Sequence, residues 1–262
     1  MKQNKQNKHK SKNIISTIIL LIAICVFVFS LYQLIVRVLP YFEGGKEYEE
    51  IKKLYITTVN PEEPKQEQRF RVDFDSLLQD NPDTVAWIRF EEPAMINYPV
   101  VKSRDNVEYL TKTFSTNDNK LGAIFMDMHN RPDFSDPNTF IYGHNMNLGG
   151  EMFSQLNKYG DAAFCQAYPY FYIYTPDGKE HKYQVFSAAV VREDAVQYRL
   201  SYHSDEEYMQ YLAACCAASY YQVEGIELNP GSKVVSLSTC TNINQEERFL
   251  VQGVWVESVD TK

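Results

Sequence analysis

The sequence predicts a mainly β domain, a closed or nearly closed barrel with some helices, set behind one transmembrane helix. Three observations carry that expectation: eight short apolar stretches of strand character separated by turn residues, one uncharged apolar run near the N-terminus, and a globular composition. The 262 residues are 44% hydrophobic, 23% charged and 14% aromatic, too apolar and aromatic for a disordered chain. Five cysteines are too few for a disulfide-stapled miniature.

The apolar run, residues 14–36, holds no charge over about 23 positions, whereas a helix needs about 20 to cross the hydrocarbon core. It ends in Tyr32, Gln33, Leu34 and Ile35 with no Ala-x-Ala pattern after it, so an uncleaved anchor is expected rather than a signal peptide. Residues 1–13 form a basic tail with Lys2, Lys5, Lys8, Lys10 and Lys12, while only Arg37 directly follows the run. The positive-inside bias keeps that tail in the cytoplasm and exports the body. Because residues 1–40 carry six basic and no acidic side chains, the net charge of −8 leaves −14 on residues 41–262. Nucleic-acid partners are excluded, since phosphates require a basic face.

Residues 37–70 read as a juxtamembrane stalk with at most a short amphipathic helix around Tyr48, Ile51, Leu54 and Tyr55, ended by Pro61 and Pro64. The compact domain is placed at 71–262, opening with Phe74, Leu77 and Leu78. Strands are expected at 85–90, 96–101, 123–126, 139–142, 170–174, 183–191, 233–239 and 249–256. Helical patterns fall at 105–111, 150–159 and 204–221, the last with Ser204 as N-cap before Asp205, Glu206 and Glu207. It lies inside the longest insertion, 192–232. Cys215 and Cys216 read as small core residues of that helix; an exported Cys165 could pair with one of them.

No glycine-rich phosphate loop is present and no His or Cys pair stands at metal-ligand spacing, so nucleotide transfer and zinc hydrolysis have no foothold and no cofactor is implied. Thiol chemistry remains. Cys240 ends a strand and abuts the polar turn Thr241-Asn242-Ile243-Asn244, which places its sulfur at a strand mouth. A nucleophilic Cys needs a base, and a tetrahedral intermediate needs a donor. Arg248 opens the next strand and a hairpin returns it beside Cys240; His144 follows the strand 139–142 and Gly143. Each also has an ordinary reading as a buried thiol, a satisfied imidazole or a solvated guanidinium, and spacing alone does not bring the three together.

Ser236-Leu237-Ser238-Thr239-Cys240, followed by Arg248-Phe249-Leu250-Val251, resembles the Thr-Leu-x-Thr-Cys and Arg signature of sortases, the membrane-anchored cysteine transpeptidases of Gram-positive bacteria. Ile141-Tyr142-Gly143-His144-Asn145-Met146 resembles the segment that carries their catalytic histidine. Class B members match best, through 81–88, 96–101, Asp105-Asn106 with Tyr109-Leu110, and 124–127. Ser236 stands for the usual first Thr, and Asn242 stands where some class B members carry an Asp, so no acidic third member carries over.

The resemblance implies an eight-stranded sortase-like barrel with a long helical insertion between strands 6 and 7. It further implies that Cys240 attacks after the Thr of an Asn-Pro-x-Thr-like sorting signal, that His144 serves as acid and then base, and that Arg248 binds the oxyanion or the signal backbone. Asn106, Leu110 and Ser238 match positions lining the signal groove. The implied partners are the sorting-signal peptide of exported proteins, a peptidoglycan stem or cross-bridge amine, and the membrane through the N-terminal helix; no metal is implied. A tethered cysteine peptidase, passing the acyl group to water, or a non-catalytic surface binding module would keep the same fold.

Overall fold

The computed structural model describes residues 2–59, 69–146 and 150–261. The chain divides into two compact units, residues 1–43 and 44–262. The first is helical, the opening part of α1 (Lys2–Tyr55), whose most apolar window has a mean hydropathy of 2.8 and is wholly unburied. Ile22, Phe27, Phe29 and Leu34 are exposed along it. This is the expected apolar helix, long enough to cross a membrane. The side chains of the basic tail lie outside the described residues.

In the second unit, eight strands among the described residues close into a barrel: β3 (Thr84–Arg89), β4 (Asn97–Val101), β5 (Ile124–Met126), β6 (Asn138–Tyr142), β7 (Tyr170–Thr175), β8 (Lys179–Arg192), β9 (Val234–Cys240) and β10 (Glu247–Asp260). Their order around the barrel is β10-β8-β7-β3-β4-β5-β6-β9. Each of the eight expected strands is present, shifted by a residue or two or, for β8 and β10, lengthened at the ends. Two pairs are parallel, β4 with β5 and β6 with β9; the others are antiparallel. Trp87, Ile88, Ile124, Phe171, Leu237 and Val251 are all buried in one continuous core.

The insertion after β8 carries α4 (Asp205–Ala218), which lays Tyr208, Tyr211, Leu212 and Cys215 on the outer face of the barrel against Phe186, Val234 and Val254. Ser204 caps α4 as expected, accepting from the Glu207 N–H, a contact worth about 1 kcal/mol. Beneath the helix a buried polar network fixes its rotation: Asn138 Nδ2 and Gln252 Nε2 both donate to the Tyr211 hydroxyl, at 2.8 and 2.9 Å, and Ser236 Oγ donates to Asn138 Oδ1. Cys215 is buried in that cluster and Cys165 in the main core, and both are free thiols, so the possible pairing is not made.

Three expectations change. The stretch read as a solvated stalk is packed: α1 runs to Tyr55 and buries Tyr48, Ile51 and Tyr55 in the main core. After it, β1 (Ile56–Val59) pairs with β2 (Arg69–Val72) and leads into α2 (Phe74–Asp80); Pro61 and Pro64 lie outside the described residues. The 105–111 and 150–159 patterns form only tight 3-10 turns, Glu108–Leu110 and Ser154–Gly160, the second followed by the short helix α3 (Ala162–Ala167). At the first, the Asp105 carboxylate takes the N–H groups of Val107 and Glu108, each at 2.8 Å, and so competes with a longer helix.

Candidate active site

The pairing registers decide which residues meet. In the parallel pair, Ile141 faces Leu237 and Tyr142 faces Ser238, so two residues further on His144 draws level with Cys240. In the antiparallel pair, Arg248 faces Cys240 directly. Cys240 therefore sits between His144 and Arg248 on neighbouring strand ends, where strands lie about 4.8 Å apart and residues in register share a face.

Local contacts hold this arrangement. Gly143 N donates to Ser238 O at 3.2 Å and Thr239 Oγ1 donates to Gly143 O at 2.7 Å, which carries the strand pairing one step past β6. Position 143 admits no side chain, because a Cβ there would come within 2.4 Å of Ile124 Cδ1 and 2.8 Å of the Phe153 ring. The two loops are tied crosswise: Asn145 Nδ2 donates to Cys240 O and Asn242 Nδ2 donates to Asn145 O, both at 2.8 Å. Asn242 adopts φ 62°, a left-handed conformation that Asn tolerates better than most residues.

His144 Nε2 lies 2.7 Å from the Leu110 carbonyl. A carbonyl only accepts, so Nε2 carries a proton and Nδ1 is the atom left for proton transfer. Arg248 Nη1 donates to the carbonyls of Gln245 and Glu247, and Nη2 pairs with the Glu193 carboxylate at 2.6 Å.

One cleft of about 590 Å³ takes in all six nominated residues, His144, Cys240, Arg248, Asn106, Leu110 and Ser238, together with Phe125, Tyr142, Glu193, Asp194 and Tyr198. Asn106 is clamped by its neighbours: Nδ2 donates to the buried Asp127 carboxylate and Oδ1 accepts from Met128 N, both at 2.8 Å. Tyr142 donates to the same carboxylate at 2.9 Å, and burial together with that charge pushes its phenol well above the usual range. Across the cleft, Tyr198 stacks on Phe140 with ring centroids 5.0 Å apart and shares a 2.7 Å hydrogen bond with Ser238 Oγ. Burial raises its phenol to about 12. Glu193 and Tyr198 were missed in the sequence; the run Arg192-Glu193-Asp194 after a strand was the available signal.

A sortase domain model matches residues 92–256. The chain belongs to the sortase family. Sortase B of Listeria monocytogenes is 27% identical over 251 residues, covering 93% of this chain and 98% of that protein. Among solved structures, sortase B from B. anthracis in a complex with AAEK1 superposes with a TM-score of 0.70 at 27% identity, covering 84% of this chain and 99% of that one. The Staphylococcus aureus sortase B–substrate complex gives 0.65 at 27% identity, covering 70% and 84%. These likenesses place this sortase in class B, and its members' chemistry, cysteine transpeptidation, is its own.

Proposed function

We propose that this sortase cleaves an Asn-Pro-x-Thr-like C-terminal signal after Thr and transfers the exported protein to a cell-wall amine, with Cys240, His144 and Arg248 as the reacting groups. The observation that carries the reading is the meeting of three separate strand ends, β6, β9 and β10, around one thiol in one cleft. Cys240 Sγ, as thiolate, adds to the Thr carbonyl carbon and the carbonyl electrons move onto oxygen. As that intermediate collapses, the C–N bond breaks and His144 Nδ1 delivers the proton to the leaving amine, which leaves a thioester. The incoming amine adds to the thioester and gives its proton to the same nitrogen, and the Cys240 thiolate departs. The hydrogen bond from Nε2 to the Leu110 carbonyl holds the ring through both steps and orients it as a carboxylate would.

Of the five N–H donors of a guanidinium, three of those on Arg248 are held by Gln245, Glu247 and Glu193. Two remain for the developing oxyanion or for the signal backbone. Asn106, Leu110 and Ser238 line the groove for the signal residues before the scissile bond, Asn106 being held there by Asp127. The structural neighbour solved with its substrate supports a peptide partner. We further propose that residues 14–36 cross the membrane with the lysine-rich tail inside and the barrel outside.

The test offers a chain starting at residue 40 an Asn-Pro-x-Thr-like peptide, with and without a peptidoglycan-type amine such as an oligoglycine or a diaminopimelate-containing peptide. Cleavage after Thr with an amine-linked product supports the reading. Cleavage with water as the only acceptor would make the protein a peptidase, and a chain unlabelled at Cys240 by a vinyl sulfone would remove the thiol from the mechanism.

A further inference from the structure

We infer that Tyr48, on the helix that continues from the apolar run, is a positioning residue for His144, acting through the loop 107–122 whose Leu110 carbonyl receives the imidazole. The inference rests on the acid–base role proposed above for His144.

Tyr48 is 2% exposed, and its hydroxyl bridges two backbone groups of that loop: it donates to Gly122 O at 2.8 Å and accepts from Phe114 N at 3.1 Å. Phe114 is held from its other side as well, its carbonyl accepting from Asn81 Nδ2 at 2.7 Å. Glu47 adds two contacts to the same loop, accepting from Ser115 N at 3.1 Å and from Asn117 Nδ2 at 3.3 Å. The path from this clamp to the catalytic ring is short. Ala123 N donates to Tyr109 O at 2.9 Å, and a Cβ placed on Gly122 would lie 3.0 Å from both Leu110 O and His144 Cδ2. Gly122 thus lies close against the Leu110 carbonyl and the imidazole that it receives, and Tyr48 holds Gly122 from outside the cleft lining. Gly122 has φ +63°, so glycine suits both the backbone turn and the close approach.

Removing only the hydroxyl deprives a buried N–H and a buried carbonyl of their partner, which lets the loop shift while the ring stays in the core. A phenyl at position 48 keeps the edge contact with Tyr98, now at 5.3 Å and 81°. Tyr55 is the internal control. It lies on the same helix and is also buried, but it gives its hydroxyl to Asp80 of α2 rather than to the loop.

The experiment compares wild type, Tyr48→Phe, Tyr55→Phe and His144→Ala as full-length chains in detergent, reading kcat, KM and the pH profile of kcat/KM for signal-peptide cleavage at a temperature where melting curves show each folded. Tyr48→Phe should lower kcat on the order of tenfold, because small misplacements of catalytic groups cost rates of that size or more, with KM within about twofold. Its profile should also differ from the wild-type one, because the Leu110 carbonyl that accepts from Nε2–H no longer fixes the imidazole. Tyr55→Phe should keep the wild-type rate and profile. A Tyr48→Phe enzyme with wild-type kcat and profile overturns the inference, as does an equal loss in Tyr55→Phe, which would make the effect one of helix stability. If Tyr48→Phe does not fold, Glu47→Ala reads the same loop from its exposed side, and an unshifted profile there also overturns it. An active His144→Ala enzyme would instead remove the acid–base reading itself.

Discussion

The mouth of the barrel and the outer face under α4 each hold a cysteine, and their surroundings make them opposites. Cys215 is 0% exposed, wrapped by Tyr208, Tyr211 and Leu212, and burial pushes its thiol up to about 11. Cys165 and Cys216 are shifted the same way by the same cause. Cys240 is partly exposed at a strand end, faces a cleft, and has a histidine and an arginine on the two adjoining strand ends. A thiol in an apolar cluster is packing material, because desolvation keeps it protonated; a thiol at a strand mouth with a base and a donor beside it can enter covalent chemistry. The comparison teaches that the strand pairing around a cysteine, more than the cysteine itself, assigns its role.

The largest expected effect breaks the comparison outright. Cys240→Ala should abolish peptide cleavage, whereas Cys165→Ala, Cys215→Ala and Cys216→Ala should each keep most of it in the same assay. Retained activity in Cys240→Ala would end the assignment of the mouth as the reactive region.

Next in size is the arginine. Losing one well-placed donor to an oxyanion costs on the order of 10² to 10³ in rate, so Arg248→Ala should slow single-turnover acylation of Cys240 by about that much. Arg248→Lys should be nearly as slow, since an ammonium on a flexible stem does not reproduce the fixed fork of donors that Glu193, Gln245 and Glu247 hold in place. Acylation restored to within about threefold by Lys would reduce Arg248 to a general positive charge.

A smaller effect belongs to Glu193. Its ion pair with Arg248 is on the exposed rim, the carboxylate side chain being 54% exposed, and such pairs contribute about 1 kcal/mol or less. Glu193→Gln should therefore slow acylation by no more than about fivefold, with the melting temperature nearly unchanged. A loss as large as that of Arg248→Ala would show that Glu193 does more than orient the guanidinium.

The smallest effect sharpens the buried side of the comparison. An unfolded thiol titrates at about 8.5, whereas burial pushes Cys215 in the fold up to about 11, so between those values the unfolded chain gives up its proton first. The stability that Cys215 contributes is complete below the unfolded value and is lost as pH rises through the folded one. Denaturant midpoints of wild type and Cys215→Ala, compared at pH 7.5 and 9.5, should show the steeper decline in wild type. Equal slopes would mean that the thiol is not shifted by burial.

Much of this was legible in the chain. The eight strands announced themselves because each is a short apolar run bounded by turn residues, and Ser204 with its following acids marked the start of α4. His144, Cys240 and Arg248 could be nominated from their place at strand ends and from motif resemblance. Tyr48, Ile51 and Tyr55 were visible as an amphipathic pattern but read as a stalk, because an apolar stripe does not name the surface it packs on. The partner of His144 was out of reach for a different reason: it is a backbone carbonyl, and every residue has one.

What the sequence determined by itself was local: which segments extend, which coil, where a charge-free run begins and ends, and which reactive side chains stand at strand ends. Those follow from side-chain periodicity and backbone preference within a few residues. Only the tertiary structure decided that β6 lies parallel beside β9 with Tyr142 opposite Ser238, although 96 positions separate the two residues along the chain. Strand pairing is directional but uses the same backbone donors and acceptors in every strand, so its partner and register are selected by how the whole set of apolar faces closes into a barrel. A slip of one residue there would turn every side chain of β9 to the opposite face and take the Cys240 sulfur out of the cleft.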